Sequence, residues 1–262
     1  MVTPSYGQSV SFTTKEKNLP CLDKQFSVFV HVYADSFANA RITEDSIHYA
    51  LQEANRLFSP ICVSFAPCII DTFPYYQFDS LRADDFLRLK EMQNRYDKLF
   101  EVINIHVISS VELKDSDAPY GFAYFNGIST DDSCSLVITK SALKTDPLML
   151  THLLGHLFGL YDTYGDGQEL VDGSNCQIAG DKICDTPADP VSDTYGDAYV
   201  KLSTLPDEKC LFIDISTDLN GAYYVPDVAN IMSKYNQCYC TFSRQQYLRM
   251  AENYLNSQDK KW

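Results

Sequence analysis

The sequence predicts an α/β (α+β) chain: an N-terminal twisted mixed β-sheet with backing helices, then an irregular cysteine-rich lobe that ends in a helix. Three observations predict it. Period-two and helical apolar spacings alternate along the chain as far as Gly159. From Leu160 onward Gly, Asp, Pro, Cys and Tyr replace that periodicity. At 262 residues, 45% hydrophobic and 21% charged, the chain has the length and composition to bury a sizeable core. The expected organisation is a loose leader over 1–24, a sheet-and-helix subdomain over 25–159, and a second subdomain over 160–262.

The elements follow in order. FSVFVHVYAD (26–35) places Phe26, Val28, Val30 and Val32 on one face and reads as a strand. Thr43 offers a helix N-cap, and Ile47, Ala50, Leu51, Ala54, Leu57 and Phe58 recur at helical spacing until Pro60. ICVSFA (61–66) is a second strand. Over 81–100 a looser stripe of Leu81, Phe86, Leu89, Met92, Tyr96 and Leu99 predicts a helix. VINIHVISS (102–110) and CSLVITK (134–140) read as strands, and YGFAYF (120–125) as an edge strand between them. A helix is expected over about 146–159, and a last one from Ser243 to Leu255.

A formal charge of −14 excludes a nucleic-acid partner, because nothing here would neutralise phosphates, and disfavours an anionic membrane surface. No apolar run approaches the length of a membrane span. Nine cysteines are many for a reducing compartment and point to export. Cys176, Cys184, Cys210 and Cys238 lie in the loop-rich third, where disulfides restrain the chain most, and spacing leaves their connectivity open. An odd count leaves at least one thiol over, with Cys21 and Cys240 the candidates. The N-terminus MVTPSYGQSV has neither a basic nor an apolar leader region, so a secreted or extracytoplasmic chain with its signal already removed is expected.

The chemistry concentrates in THLLGHLFGLYDTYG (151–165). His152 and His156 are four apart, so a helix puts both imidazoles on one face, one turn from each other, as two ligands of one zinc ion require. Gly159 can then end the helix at positive φ, and Asp162 follows where a turning chain can return a third ligand. Alone, the histidine pair is a weak signal. His31, His48 and His106 read as satisfied or exposed histidines.

Context strengthens the pair. The stretch resembles H-E-x-x-H-x-x-G-x-x-H, the zinc motif of the metzincin metallopeptidases, and three later elements resemble the pappalysins in order. GDKICDTPADP (180–190) is similar to that family's G-D-x-x-x-D-T-P element, NIMSKYNQC (230–238) to its Met-turn, and TFSRQQYLRM (241–250) to the entry into its last helix. GFAYFNG (121–127) stands where the family has its substrate-binding edge strand. The resemblance covers roughly residues 25–255. It implies a metzincin-like fold, zinc at His152, His156 and Asp162, and Met232 beneath the metal site. It also implies calcium at Asp181, Asp185 and Thr186, for which an Asx-type turn is the alternative, and disulfides Cys176–Cys210 and Cys184–Cys238.

The departures decide the functional expectation. Leu153 occupies the position of the family's general-base glutamate, and leucine neither accepts nor donates a proton. Asp162 replaces the third histidine, and a carboxylate is a legitimate zinc ligand. Lys234 replaces the tyrosine that follows the Met-turn methionine by two residues, with Tyr235 one position late. General acid–base catalysis is worth about 10²–10⁴-fold, and a lost oxyanion donor about 10²–10³-fold. The expectation is a catalytically dead or severely impaired pappalysin-like protein, a pseudoenzyme that binds a peptide or protein ligand in its cleft. The alternatives are an active secreted zinc endopeptidase using another carboxylate, such as Asp146 or Glu169, and a metal-free structural extracellular domain.

Overall fold

The computed structural model describes residues 19–82, 88, 90–92, 94, 102–112, 120–129, 134–165, 167–190, 200–202 and 210–257. Its centre is a five-stranded sheet of order β2-β1-β4-β7-β6, built from β1 (Lys24–Tyr33), β2 (Val63–Phe73), β4 (Val102–Ile108), β6 (Gly121–Ala123) and β7 (Ser135–Thr139). β1 pairs in parallel with β2 and β4, and β4 in parallel with β7. β6 alone runs antiparallel, against β7, and forms one edge. Two short pairs lie outside this sheet: β3 (Ser80–Arg82) with β5 (Ser110–Glu112), and β8 (Val200–Leu202) with β9 (Cys210–Phe212).

Both faces of the sheet are covered, as a mostly parallel sheet requires. Phe26, Val28, Val30 and Val32 point into the main core, where they meet α1 (Glu44–Phe58), α3 (Leu148–Leu157) and α4 (Arg244–Leu255). That core also takes Ile231, Met232, Phe242 and Met250, so it joins residues from both sides of position 160. The opposite face is smaller and holds Tyr33, Phe78, Ile108 and Val137. There the sheet carries polar groups that satisfy one another. His31 Nε2 bonds Asn104 Oδ1 at 2.9 Å, the Tyr33 hydroxyl bonds His106 Nδ1 at 3.0 Å, and Lys140 donates to Asp79 at 2.6 Å. Burial, then the neighbouring His106, push His31 down to about 3. Both sheet histidines are thus buried core residues, each bonded to a side chain of the neighbouring strand, and His48 is exposed on α1.

Local chemistry sets the helix ends. Thr43 caps α1 through a bond from the Ser46 N–H, and Ser243 forms a reciprocal capping box with Gln246 at the start of α4. The helix expected over about 146–159 is α3, and a short helix that the sequence did not predict precedes it. α2 (Lys140–Thr145) stops at Asp146, Pro147 intervenes, and α3 begins at Leu148, because proline lacks the N–H that would continue a helix. Within the segment expected to be helical over 81–100, Leu81 and Arg82 belong to β3 instead, whereas residues 88, 90–92 and 94 are helical. The remainder of that segment lies outside the described residues, as do residues 1–18 of the leader.

The cysteines correct two expectations. The disulfides are Cys21–Cys62, Cys176–Cys184 and Cys210–Cys238, and Cys68, Cys134 and Cys240 are not disulfide-bonded. The four loop cysteines are all bonded, but 176 pairs with 184 rather than 210, and 238 with 210 rather than 184. The loop over 176–184 turns back on itself through successive tight turns, including Ala179 N–H to Asn175 O at 3.1 Å and Lys182 N–H to Ala179 O at 3.1 Å, which brings its two ends within a Cα separation of 5.1 Å. Cys21 is bonded rather than odd, because the segment before β1 lies against the end of α1, with Leu22 N–H donating to Ile61 O.

Candidate metal centre

α3 is helical because its apolar residues fill the core from several sides: Met149, Leu150, Leu153, Leu154 and Leu157 are all buried. It ends in a Schellman motif, with Leu160 N–H bonding Gly155 O at 3.0 Å and Gly159 N–H bonding His156 O at 2.9 Å. Gly159 sits at φ +87°, and a Cβ there would lie 2.1 Å from Asn253 Nδ2. Glycine therefore serves both the turn and the approach of α4. The chain reverses after it and brings Asp162 back to the helix.

Three ligand-capable atoms meet at this turn. His152 Nε2 and His156 Nε2 are 3.1 Å apart, and Asp162 Oδ1 lies 3.3 Å and 3.4 Å from them. Among the described residues this is the one group of three or more His, Cys, Asp or Glu side chains so arranged. The tautomers follow from the partners. His152 Nδ1 bonds Ile231 O at 2.7 Å and His156 Nδ1 bonds Leu160 O at 2.8 Å. A carbonyl only accepts, so each Nδ1 carries a hydrogen and each Nε2 faces inward, where it can take a proton or a metal ion. Asp162 Oδ1 is buried, and no hydrogen bond reaches it with acceptable angles, so its contacts are those of an ion pair. Burial acts to raise the Asp162 carboxyl, but the charge of His156 and contacts from both imidazoles outweigh it and hold it far below the usual range. Burial likewise acts to lower His156, and Asp162 overrides it upward. Three converging acceptors are mutually repulsive until a cation joins them.

The turn through Ile231, Met232 and Ser233, expected as a Met-turn, braces this arrangement through three successive carbonyls. Ile231 O accepts from His152 Nδ1, Met232 O from Thr163 N–H at 2.9 Å, and Ser233 O from the Tyr239 hydroxyl at 2.7 Å. The Tyr239 ring also stacks on His152, with centroids 5.9 Å apart. Met232 is fully buried directly under α3, where a Cβ on Gly155 would lie only 2.5 Å from its sulfur.

The remaining expected site residues fall as follows. Leu153 is 3% exposed, lines the cleft beside His152 and faces Gly121 of β6, so the position after the first histidine is apolar. Lys234 lines the same cleft, but its ammonium donates to Pro190 O, 5.4 Å from the Tyr164 ring centroid. Tyr235 points away, fully buried, with its hydroxyl on Asp189 Oδ1 at 2.9 Å. Neither alternative base joins the three-atom cluster. Asp146 lies at the start of α3 in an adjoining pocket of about 440 Å³, and burial raises its carboxyl despite a bond from Asn236. Glu169 is buried beside Gly180, on a different loop.

The acidic loop works as a turn and a cap. Asp181 accepts from Ile183 N–H at 2.9 Å and from the Thr186 hydroxyl at 3.0 Å. Asp185 accepts from Ser243 Oγ at 2.6 Å and Gln245 N–H at 2.8 Å, at the start of α4. The oxygens expected for calcium are therefore engaged by protein donors, and they point to two different tasks. Gly155, Tyr239 and Asp189 were not singled out in the sequence. Asp189 lies within the 180–190 stretch and so had a local signal; Tyr239 had none, because only the tertiary fold brings it to His152.

A cleft of about 370 Å³ runs over the site, bounded by Gly121, Phe122 and Ala123 of β6 on one side and by His152, His156, Asp162 and Tyr239 on the other. All three β6 residues are half-buried at the sheet edge.

No family model matches the chain. In sequence it is similar to an extracellular metalloprotease of Colletotrichum graminicola, at 26% identity over 174 residues, which covers 61% of this chain and 56% of that protein. The chain thus spans little more than half the length of that relative. In structure it is similar to mirolysin in complex with compound 9, with a TM-score of 0.56 and 18% identity over 93% of this chain and 95% of that one. It is similar too to Tannerella forsythia mature mirolysin in complex with a cleaved peptide, with a TM-score of 0.56 and 16% identity over 90% and 93% of the two chains. The fold is the metzincin-like mixed α/β fold seen in mirolysin, and in sequence the chain is similar to an extracellular metalloprotease.

Proposed function

We propose that this chain is an extracellular, pappalysin-like zinc protein that binds peptides along β6 and hydrolyses them poorly or not at all. The observation that carries the metal is the triangle of ligand-capable atoms at 3.1, 3.3 and 3.4 Å. Zinc bonds to nitrogen and oxygen at about 2.0–2.2 Å, so a tetrahedral site has edges of roughly 3.3–3.6 Å. The triangle fits one face of such a site closely. Two neutral imidazoles and one carboxylate suit zinc, and hydrogen bonds to Ile231 O and Leu160 O orient the imidazoles as metal-binding histidines are oriented.

When bound, zinc supplies Lewis acidity and a bound water whose pKa falls to about 7. Hydrolysis further needs a group that takes a proton beside it. Leu153 provides none, and among the described residues no second carboxylate shares the cluster. Lys234 is turned to Pro190 O, which favours a structural role over one at the reacting carbonyl. What remains is a cleft with an exposed sheet edge, a surface to which an extended peptide adds as a further strand. Three disulfides and the extracellular relative support secretion.

The test is metal content of the purified chain followed by cleavage of a broad peptide library. About one zinc per chain and no chelator-sensitive cleavage is the expected result. Zinc with chelator-sensitive cleavage favours an active peptidase with an unusual base, and a metal-free chain favours a structural domain.

A further inference from the structure

Asp162 lies on an irregular loop, and a zinc ligand needs tighter restraint than the glycine turn before it supplies. Part of that restraint comes from Thr163, the next residue, whose N–H bonds Met232 O at 2.9 Å. A second tie is less expected. The Thr163 hydroxyl donates to Asp189 Oδ2 at 2.7 Å, and the Tyr235 hydroxyl donates to Asp189 Oδ1 at 2.9 Å. One carboxylate thus bridges the residue after Asp162 to the residue three past Met232. Asp189 is 1% exposed, Thr163 4% and Tyr235 0%.

We propose that Asp189 is a positioning residue that holds Asp162 against His152 and His156 by clamping the ligand loop to the Met-turn. The inference rests on the metal reading given above. A buried carboxylate is costly to dehydrate and persists in a fold where its partners are fixed by it. Both oxygens of Asp189 are used, each by a hydroxyl on a different chain segment, so the group acts as a rigid two-point strut. Burial raises its carboxyl, while Thr163, the positive charge of Lys234 and Tyr235 oppose that rise. This gives Lys234 a role suited to its place: the ammonium on Pro190 O sits one residue from Asp189 and supplies countercharge to the strut. The side chain that departs most in character from the family's tyrosine thereby serves the clamp.

The experiment measures zinc affinity of the full chain by competition with a chromophoric chelator, together with the visible spectrum of the cobalt(II)-loaded form. Outer partners of metal ligands typically contribute about 10–100-fold in affinity. Thr163→Val removes only the hydroxyl that grips Asp189 and is expected to lower zinc affinity by about that factor, with weakened cobalt bands. Thr163→Ser keeps the hydroxyl and is expected to stay within about threefold of the parent. Asp189→Asn is expected to behave as Thr163→Val does; if it fails to fold, the valine and serine pair decides. Near-ultraviolet circular dichroism of the metal-free chains checks folding, which a positioning role leaves unchanged in Thr163→Val. A folded Thr163→Val chain that binds zinc as tightly as the parent, with the same cobalt spectrum, overturns the clamp and leaves the metal reading standing. A parent chain that binds no zinc overturns both.

Discussion

His152 sits where one hydrogen bond, from Nδ1 to Ile231 O, fixes which nitrogen faces inward. Replacing it with alanine removes one of three donors and also releases that carbonyl, so His152→Ala is expected to lose zinc at micromolar metal while Leu153→Ala keeps it; equilibrium dialysis with metal analysis distinguishes the two. A different residue sets a pH response. Burial pushes Asp181 up to about 7, against bonds from Thr186 and Ile183. The folded chain therefore holds this proton more tightly than an unfolded chain, whose carboxyl titrates near 4. Its contribution to stability is complete below about pH 4 and is lost as pH rises through about 7. Thermal denaturation of the chelator-treated chain from about pH 5 to about pH 8 is expected to show stability falling with pH, and the slope to flatten in Asp181→Asn. An unchanged slope in that variant would place the proton elsewhere.

At the scale of elements, the end of α3 decides whether Asp162 returns. Gly159 at φ +87° with Asn253 at contact distance leaves no room for a side chain. Gly159→Ala is expected to destabilise the chain by about 1–3 kcal/mol and to weaken zinc binding with it, read by urea denaturation with and without metal. This element was legible because its signals are local: an i,i+4 histidine pair, a leucine-rich stripe and a glycine at the right distance. β1, α1, β4 and β7 were legible for the same reason. β3 and β5 were not, since strands such as Ser80–Arg82 are too short to carry a period. The short helix over Lys140–Thr145 was not expected, because six residues are too few to carry a helical period. The pairing of Cys176 with Cys184 depends on turns in a stretch without periodicity, and the inherited pattern gave a different partner.

For the molecule as a whole, the irregular lobe joins the main core through residues such as Ile183, Ile231, Met232 and Phe242, and cross-links restrain the stretches between them. Cys210–Cys238 links positions 28 apart, joining β9 to the segment that follows Met232. Chain-entropy arguments give such a bridge about 3–4 kcal/mol. The Cys210→Ser, Cys238→Ser double variant is expected to lose a comparable amount, measured by denaturant unfolding under oxidising conditions. The clamp through Asp189 and Tyr235 lies three residues from Cys238, so zinc affinity should fall in the same variant. The sheet edge and the three-atom cluster come from the sheet-and-helix half and the returning loop, while the irregular half supplies Lys234 and Tyr239 of the cleft wall and the turn at Met232 that braces the cluster. Sequence alone located both halves of the site, but not the contacts between them, which depend on residues some 70–90 positions apart such as His152 with Ile231 and Tyr239.

We propose that the zinc site hydrolyses peptides poorly because Leu153 offers no proton acceptor beside the metal. This is tested most directly by the initial rate of peptide-library cleavage in Leu153→Glu and in the parent chain at matched zinc occupancy. Restoring a proton acceptor beside the metal should raise the rate on the order of 10²–10⁴-fold over the parent. A parent chain that already cleaves at the rate of the glutamate variant, with both abolished by chelator, would contradict it and show that another group in the cleft carries the proton.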